Sequence, residues 1–443
     1  MPGDVLDTSM ILGCYQRSEE EQHGRIFQSL YFAKQRRSMN KMGQLRQIAR
    51  ETSLLHWPLG ALVILGEGIR LLVRIPATPH KYSKVGVPTE IALSAVMKWI
   101  GAAQDANRDG GISAYFSLYG GFGPSYPETT GYLIPTLINY SLITGDRTFS
   151  ERALRAGAWL KTLQLDSGAF REGFARNSDG PSVFNTGQII FGLLSVWEHT
   201  EDDEYLQSAI RAGKWLTSVQ SDDGAWRQCT YEGQSHVYYT MVAWSLAELF
   251  KVTEKAEFRE ATDRNIKWAL AQVKPNGWFE GHNLNNRPNY LHFIAYTLQG
   301  LLESAVILEC SKGIEKVRVA SERLMHKFEI TKSLAGAYTL EWKPDAKYMC
   351  LTGNAQMAVV WQRLGELTED LRFSNAALKM NELLKSKISY KAPRGIKGAI
   401  KGSDPIWGRY LSLRYPNWAA KFTADSFLLE LRFLERLQRH LPL

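Results

Sequence analysis

Tyr126-Pro127-Glu128-Thr129-Thr130-Gly131-Tyr132 places a carboxylate between two tyrosines in an otherwise apolar stretch. Such a group can act as a general acid or base. The competing reading is structural, because an acid in the first turn of a helix is favoured by the helix dipole and need only cap it. Two histidines belong to the same inventory: His236 precedes Val237-Tyr238-Tyr239, and His292 follows Asn289-Tyr290-Leu291. Glu128, His236, Tyr239 and His292 are therefore the catalytic candidates. Abstraction of a proton beside a uronate carboxylate needs a base, an acid on the opposite face and a cation for the developing enolate. The histidines with Tyr239 or Tyr290 can supply the first two, and Arg409 or Lys421 the third. Hydrolysis of a glycosidic bond needs two carboxylates at a set separation. For that, Glu128 could pair with Asp109, Glu172, Asp404 or Asp425. Either histidine alone could equally be a satisfied structural residue, but the two stand at matching places in consecutive repeats.

Aromatics, amides and charges surround these candidates: Tyr126, Asn185, Gln188, Tyr238, Asn289, Tyr290, Asn354, Trp407, Arg409, Tyr410, Asn417, Trp418, Lys421 and Asp425. Aromatic faces stack on the apolar faces of sugar rings while amides and charges take hydroxyls, so this is a sugar-binding set.

The elements that must gather these scattered residues are visible as a repeat. Arg155-Ala156-Gly157-Ala158-Trp159-Leu160 runs to Gln164 and Gly168-Ala169-Phe170; Arg211-Ala212-Gly213-Lys214-Trp215-Leu216 runs to Gln220 and Gly224-Ala225-Trp226. With Gly111, Gly277, Gly336 and Gly398, the glycines are spaced by 57, 56, 53, 59 and 62 residues. That period fits two helices and two loops. Helical apolar spacing predicts outer helices near 88–104, 149–164, 203–220, 256–273, 313–328 and 370–387. Inner helices, apolar nearly all round, are predicted near 128–143, 184–199, 236–251, 289–309, 351–366 and 417–438. Six such pairs make an all-α fold, an (α/α)6 toroid over residues 81–443, preceded by an N-terminal helical extension over 1–80. All inner helices of such a ring run the same way, so the residues before and at their starts converge at one mouth. Gly120-Gly121-Phe122-Gly123-Pro124 is expected to be a mobile rim there or a plain long turn.

The 443 residues carry a formal net charge of +8, which favours anionic substrates. Nucleic acid is excluded by the lack of any helix-turn-helix, zinc-finger or RNP pattern. The four cysteines have no metal-ligand spacing, so no metal and no cofactor is expected, and free thiols fit a reducing, cytoplasmic compartment. No P-loop, helix-opening GxGxxG, GxSxG or HExxH occurs. No signal peptide is evident. Residues 25–50 carry seven cations and no acid, and 54–75 are apolar but interrupted by charge. Residues 25–75 thus offer a peripheral contact with the inner membrane, against the alternative of a solvated basic arm.

The run Gly-x-Trp-Leu-x3-Gln-x3-Gly-Ala-(Phe/Trp) at 157–170 and 213–226 resembles the QW motif of squalene cyclase and prenyltransferase toroids. Their aspartate-rich catalytic motif has no counterpart, since Glu201-Asp202-Asp203-Glu204 falls at the wrong end of the ring, and this disfavours terpenoid cyclisation. Asp109-Gly110-Gly111-Ile112-Ser113-Ala114, Tyr126–Tyr132 and Tyr415-Pro416-Asn417-Trp418-Ala419-Ala420-Lys421-Phe422 resemble VpsJ-like proteins of exopolysaccharide and capsule biosynthesis. The architecture also resembles that of glucuronyl C5-epimerases, polysaccharide lyases and unsaturated glucuronyl hydrolases. The resemblance implies action on a glycan or lipid-linked sugar, as lyase, epimerase or glycosidase, with a non-catalytic glycan-binding or assembly protein as the alternative.

Overall fold

The computed structural model describes residues 57–73, 86–174, 179–284 and 287–440. The chain divides into two compact units, Met1–Pro58 and Leu59–Leu443. Apart from the first two residues of one helix, every described element belongs to the second. The basic stretch 25–50 lies outside the described residues.

That helix, α1 (Trp57–Val73), falls in the predicted N-terminal extension. Within the second unit it is held by a buried ion pair, Lys401 Nζ to Glu67 Oε1 at 2.7 Å, and by Gly60, where a Cβ would meet the Leu118 carbonyl at 3.1 Å. Leu62 and Leu65 point outward and are exposed. Among the described residues, no helix is long and apolar enough to cross a membrane.

Twelve helices follow in strict alternation. The outer set is α2 (Thr89–Asp105), α4 (Arg147–Lys161), α6 (Asp203–Ser218), α8 (Ala256–Ala271), α10 (Ser311–Thr331) and α12 (Leu371–Lys385). The inner set is α3 (Pro127–Thr144), α5 (Val183–Thr200), α7 (Thr240–Thr253), α9 (Leu291–Ile307), α11 (Leu351–Thr368) and α13 (Asn417–His440). Each inner helix packs on the next, and α13 packs back on α3, closing the ring. The division of roles follows from the apolar pattern. In α6 only one stripe is buried, from Tyr205 through Ala209 and Ala212 to Leu216, whereas α11 is buried almost without interruption from Leu351 to Leu364. Inner helices meet closely through glycine: a Cβ on Gly131 would lie 2.6 Å from the Ile189 Cα.

The sequence repeat and the structural hairpin are out of phase by one helix. Each inner helix turns tightly into the next outer helix, and the two pack as an antiparallel pair, while α13 pairs with α2 to complete the sixth hairpin. The turns share a device. In Thr200-Glu201-Asp202 and Thr368-Glu369-Asp370, the threonine hydroxyl bonds back to the carbonyl four residues earlier. The glutamate adopts a left-handed conformation, and the aspartate caps the next helix. These side-chain bonds satisfy the backbone groups that helix ends leave open.

At the opposite end, the long loops are held between neighbours. Gln104, Gln164 and Gln220 each donate Nε2 to the glycine carbonyl of their own turn and to a carbonyl of the next outer helix. Their Oε1 atoms accept from Arg152, Arg211 and Arg264. Gly224 has φ +89°, and a Cβ there would lie 2.2 Å from the Arg264 carbonyl oxygen, so only glycine fits. Short strands lace the loops further: β1 (Tyr115–Ser117) pairs with β2 (Gly121–Phe122) and with β7 (Arg414–Pro416), β3 (Asn289–Tyr290) with β4 (Ala337–Tyr338), and β5 (Met349–Cys350) with β6 (Ser403–Asp404). The expected glycine-rich rim is thus a hydrogen-bonded hairpin, with Phe122 packed edge-on against Phe116 at 5.1 Å. The third inner helix also begins later than expected, after a 3-10 turn over Val237–Tyr239, which aims Tyr238 and Tyr239 into the ring.

Candidate active site

Pro127 opens α3 and puts Glu128 in its first turn. Tyr126 Oη donates to Glu128 Oε2 at 2.6 Å. The half-buried carboxyl stands among aromatic rings. Burial pushes it up to about 7, against the opposing pull of the Tyr126 bond and with a further rise from the charge of Glu172. Near neutral pH it is thus poised between its acid and carboxylate forms, which is what general acid–base chemistry requires.

The wall is continuous. Tyr126 packs against Phe174 at 5.3 Å and Trp418 at 6.4 Å. Trp418 Nε1 donates to Tyr410 Oη at 2.9 Å, and Tyr410 packs against both Tyr290 and His292. On the other side Phe184 contacts Tyr238, Tyr239 and Tyr296. Helical spacing continues the lining inward: Tyr132 lies one turn below Glu128, Tyr296 one turn below His292, and their hydroxyls are 3.4 Å apart. The Glu128 charge, secondary to burial, adds to the upward push on the phenols of Tyr132, Tyr238 and Tyr296.

His292 Nδ1 contacts Gln356 Oε1 at 2.5 Å, and burial drives the imidazole down to about 3, so it is neutral and its Nε2 is an acceptor. His236 is committed differently. Its Nε2 meets the Tyr231 carbonyl at 3.0 Å and its ring stacks on Tyr238 at 5.0 Å, holding the loop that presents Tyr238 and Tyr239; burial lowers its pKa.

Several predicted substrate ligands hold the mouth together. Asn185 Nδ2 donates to the Arg171 carbonyl, Asn354 Nδ2 to the carbonyls of Leu334 and Cys350, and Asn417 Nδ2 to Ser113 O and Thr129 Oγ1. Asn289 Nδ2 donates to the Tyr338 carbonyl. Gln188 is buried, and neither of its amide atoms has a partner among the described residues. Lys421 and Asp425 pair at 2.6 Å. The ammonium lies over Phe422 and Tyr132, and Asp425 accepts from Thr136, so the pair lies below Glu128, two turns down α3. Trp407 and Arg409 are exposed on the last loop.

Of the possible carboxylate partners for Glu128, Asp109 is spent on Gly111 N and Ser125 Oγ, Asp404 on Lys401 and Lys387, and Asp425 on Lys421. The charge of the exposed Glu172 reaches Glu128, Tyr126 and Tyr239. Phe184, Tyr296 and Phe422 were not among the predicted site residues; the signal available was their one-turn spacing from Gln188, His292 and Trp418. Among the described residues no three His, Cys, Asp or Glu side chains gather where they could share a metal.

No protein-family model and no curated protein matches the chain. Solved structures do. An unsaturated glucuronyl hydrolase specific for heparin aligns over 78% of this chain and 98% of its own, with a TM-score of 0.65 and 15% identity. The chain is an (α/α)6 toroid. Cellobiose 2-epimerase from Bacillus thermoamylovorans B4167 aligns with this toroid over 79% of it and 98% of the epimerase, with a TM-score of 0.60 and 14% identity. A D-mannose isomerase aligns over 80% of the toroid and 100% of its own chain, with a TM-score of 0.61 and 12% identity.

Proposed function

We propose that the toroid is a carbohydrate-active enzyme in which Glu128 is the proton donor. The observation that carries this is the Tyr126–Glu128 pair, a half-buried carboxyl pushed up to about 7 among aromatic rings. Tyr126, Phe184 and Trp418 offer faces for pyranose rings, and the favoured reaction is glycosidase-type acid catalysis with Glu172 as the second carboxylate. The three structural neighbours, a hydrolase, an epimerase and an isomerase of sugars by their names, support the substrate class by analogy. Replacing Glu128 by Gln tests the assignment: turnover of a glycan panel should be lost with the circular-dichroism spectrum unchanged. Retained turnover would remove Glu128 from the mechanism, and a wild type that binds glycans without converting any would favour the non-catalytic assembly protein.

Proton abstraction is the second reading, favoured by the neutral His292 among the phenols. It predicts exchange of a sugar C–H with deuterated water, which hydrolysis does not.

The resemblance of the Tyr126–Tyr132 and Tyr415–Phe422 segments to VpsJ-like proteins favours surface polysaccharide production as the setting, with a glycan or a lipid-linked sugar as substrate. A cytoplasmic protein held at the inner membrane fits that setting. The exposed Leu62 and Leu65 of α1 and the upstream cations support such an attachment.

A further inference from the structure

A concavity of about 450 Å³ lies between the end of α10 and the loop leading to α11. Lys327, Thr331, Tyr338, Lys347, Tyr348 and Asp404 line it. Its volume is within the range of about 300–1,000 Å³ that holds small-molecule ligands. Tyr348 is its fixed feature. A Cβ on Gly336 would come within 2.5 Å of the Tyr348 ring, and one on Gly408 within 2.6 Å, so two glycines let the backbone pack closely on this half-buried ring.

Backbone bonds tie this ring to the recess. Gly336 N donates to the Tyr348 carbonyl at 2.7 Å, Leu291 N donates to the Gly336 carbonyl at 3.0 Å, and Tyr290 pairs with Ala337 across β3 and β4. Tyr290 then contacts Tyr410, which is bonded to Trp418 in the recess wall. Backbone bonds and ring contacts thus connect the cleft to the rings around Glu128.

The charges around the cleft are one-sided. Lys327 and Lys347 line the cleft, and Arg409 follows Gly408 against Tyr348; none of the three has an ion-pair partner among the described residues. Asp404 is offset by Lys401 at 2.5 Å and Lys387 at 2.7 Å. Asp345, exposed beside Tyr348, is the opposing acid. Trp407, 44% exposed, adds a second ring on the same loop as Arg409. Cations without ion-pair partners beside aromatic rings match a chain of sugar rings that bears carboxylates at intervals, more closely than a peptide or a bare anion.

We propose that this cleft is an accessory subsite for an anionic oligosaccharide whose end occupies the Glu128 recess. The proposal rests on the carbohydrate reading and names its substrate as a polymer rather than a free sugar. Calorimetric titration of the full chain with a hyaluronan disaccharide, a hyaluronan hexasaccharide and a neutral cellohexaose tests it. The hexasaccharide should bind at least about tenfold more tightly than the disaccharide, a gain of about 1.4 kcal/mol, and cellohexaose should not share that gain. Lys327→Glu with Lys347→Glu should reduce the gain to less than about twofold and leave disaccharide affinity unchanged. Tyr348→Ala, which keeps the charges, should also reduce it, whereas Glu128→Gln should preserve it. A gain that survives both cleft variants, an equal gain for cellohexaose, displacement by polyglutamate as effective as by hexasaccharide, or no binding of either hyaluronan probe overturns the subsite. If the length dependence holds while Glu128→Gln keeps full turnover, the catalytic assignment falls and the subsite stands.

Discussion

Replacing Glu128 by Gln should change the pH dependence of stability as well as activity. A carboxyl moved from 4.5 in the unfolded chain to about 7 in the folded one binds its proton more tightly when folded. Stability therefore decreases as pH rises from about 4.5 through 7, and the full penalty is felt above the folded pKa. At about 1.4 kcal/mol per pH unit, the loss is about 3 kcal/mol by pH 8. Glutamine has nearly the same shape, can accept the Tyr126 hydroxyl through its carbonyl oxygen, and has no charge to bury. Glu128→Gln should thus be near neutral at pH 4.5 and about 2–3 kcal/mol more stable than the wild type at pH 8. Urea unfolding of both proteins at the two pH values measures this. An equal difference at both would show that the carboxyl titrates normally and that the recess does not desolvate it.

Three further outcomes follow from the same geometry. Tyr126→Phe removes a bond that favours the carboxylate, so the alkaline limb of the pH–rate profile should move up by about one pH unit, for a charge-assisted bond of about 1.5 kcal/mol; an unmoved or lowered limb would refute the role given to that hydroxyl. Gly224→Ala should cost about 2–4 kcal/mol in urea unfolding, from backbone strain and overlap with the Arg264 carbonyl, and a cost below about 1 kcal/mol would contradict the tie between outer helices. The chain should sediment with anionic vesicles in low salt and be released in high salt; binding that persists after Leu62→Glu with Leu65→Glu would rule out α1 as the attachment.

The ring was legible because its two determinants are local. Glycines such as Gly168 and Gly224 must stand where a turn meets the next outer helix, and the apolar surface of an inner helix cannot be solvated, so both leave a periodic trace. The phase of the hairpins was harder to see. Its marker, the Thr-Glu-Asp turn at 200–202 and 368–370, is short and polar, and at the first such turn Gly145 takes the left-handed position that glutamate holds later.

The site was legible in place but not in role. First-turn residues of inner helices do converge, yet the mouth loops need hydrogen-bond partners as much as a ligand would. Asn185, Asn354 and Asn417 serve the loops, and Glu128 faces the recess; nothing in the residue type separates the two. Lys421 looked like a cation for a substrate carboxylate, but its partner Asp425 lies one turn along the same helix, a spacing that was itself in the sequence. Glu172 stood among four possible acids, and only packing showed that its charge reaches Glu128 and Tyr126.

For Glu128 to act as the proton donor, a sugar must reach it. A crystal structure of the Glu128→Gln protein with a bound hyaluronan hexasaccharide tests it most directly. The expected result is a terminal ring within hydrogen-bond distance of residue 128, between Trp418 and Phe184, with the chain leaving past Tyr290 toward Tyr348. A saccharide bound elsewhere on the ring, with residue 128 covered by protein, would contradict it.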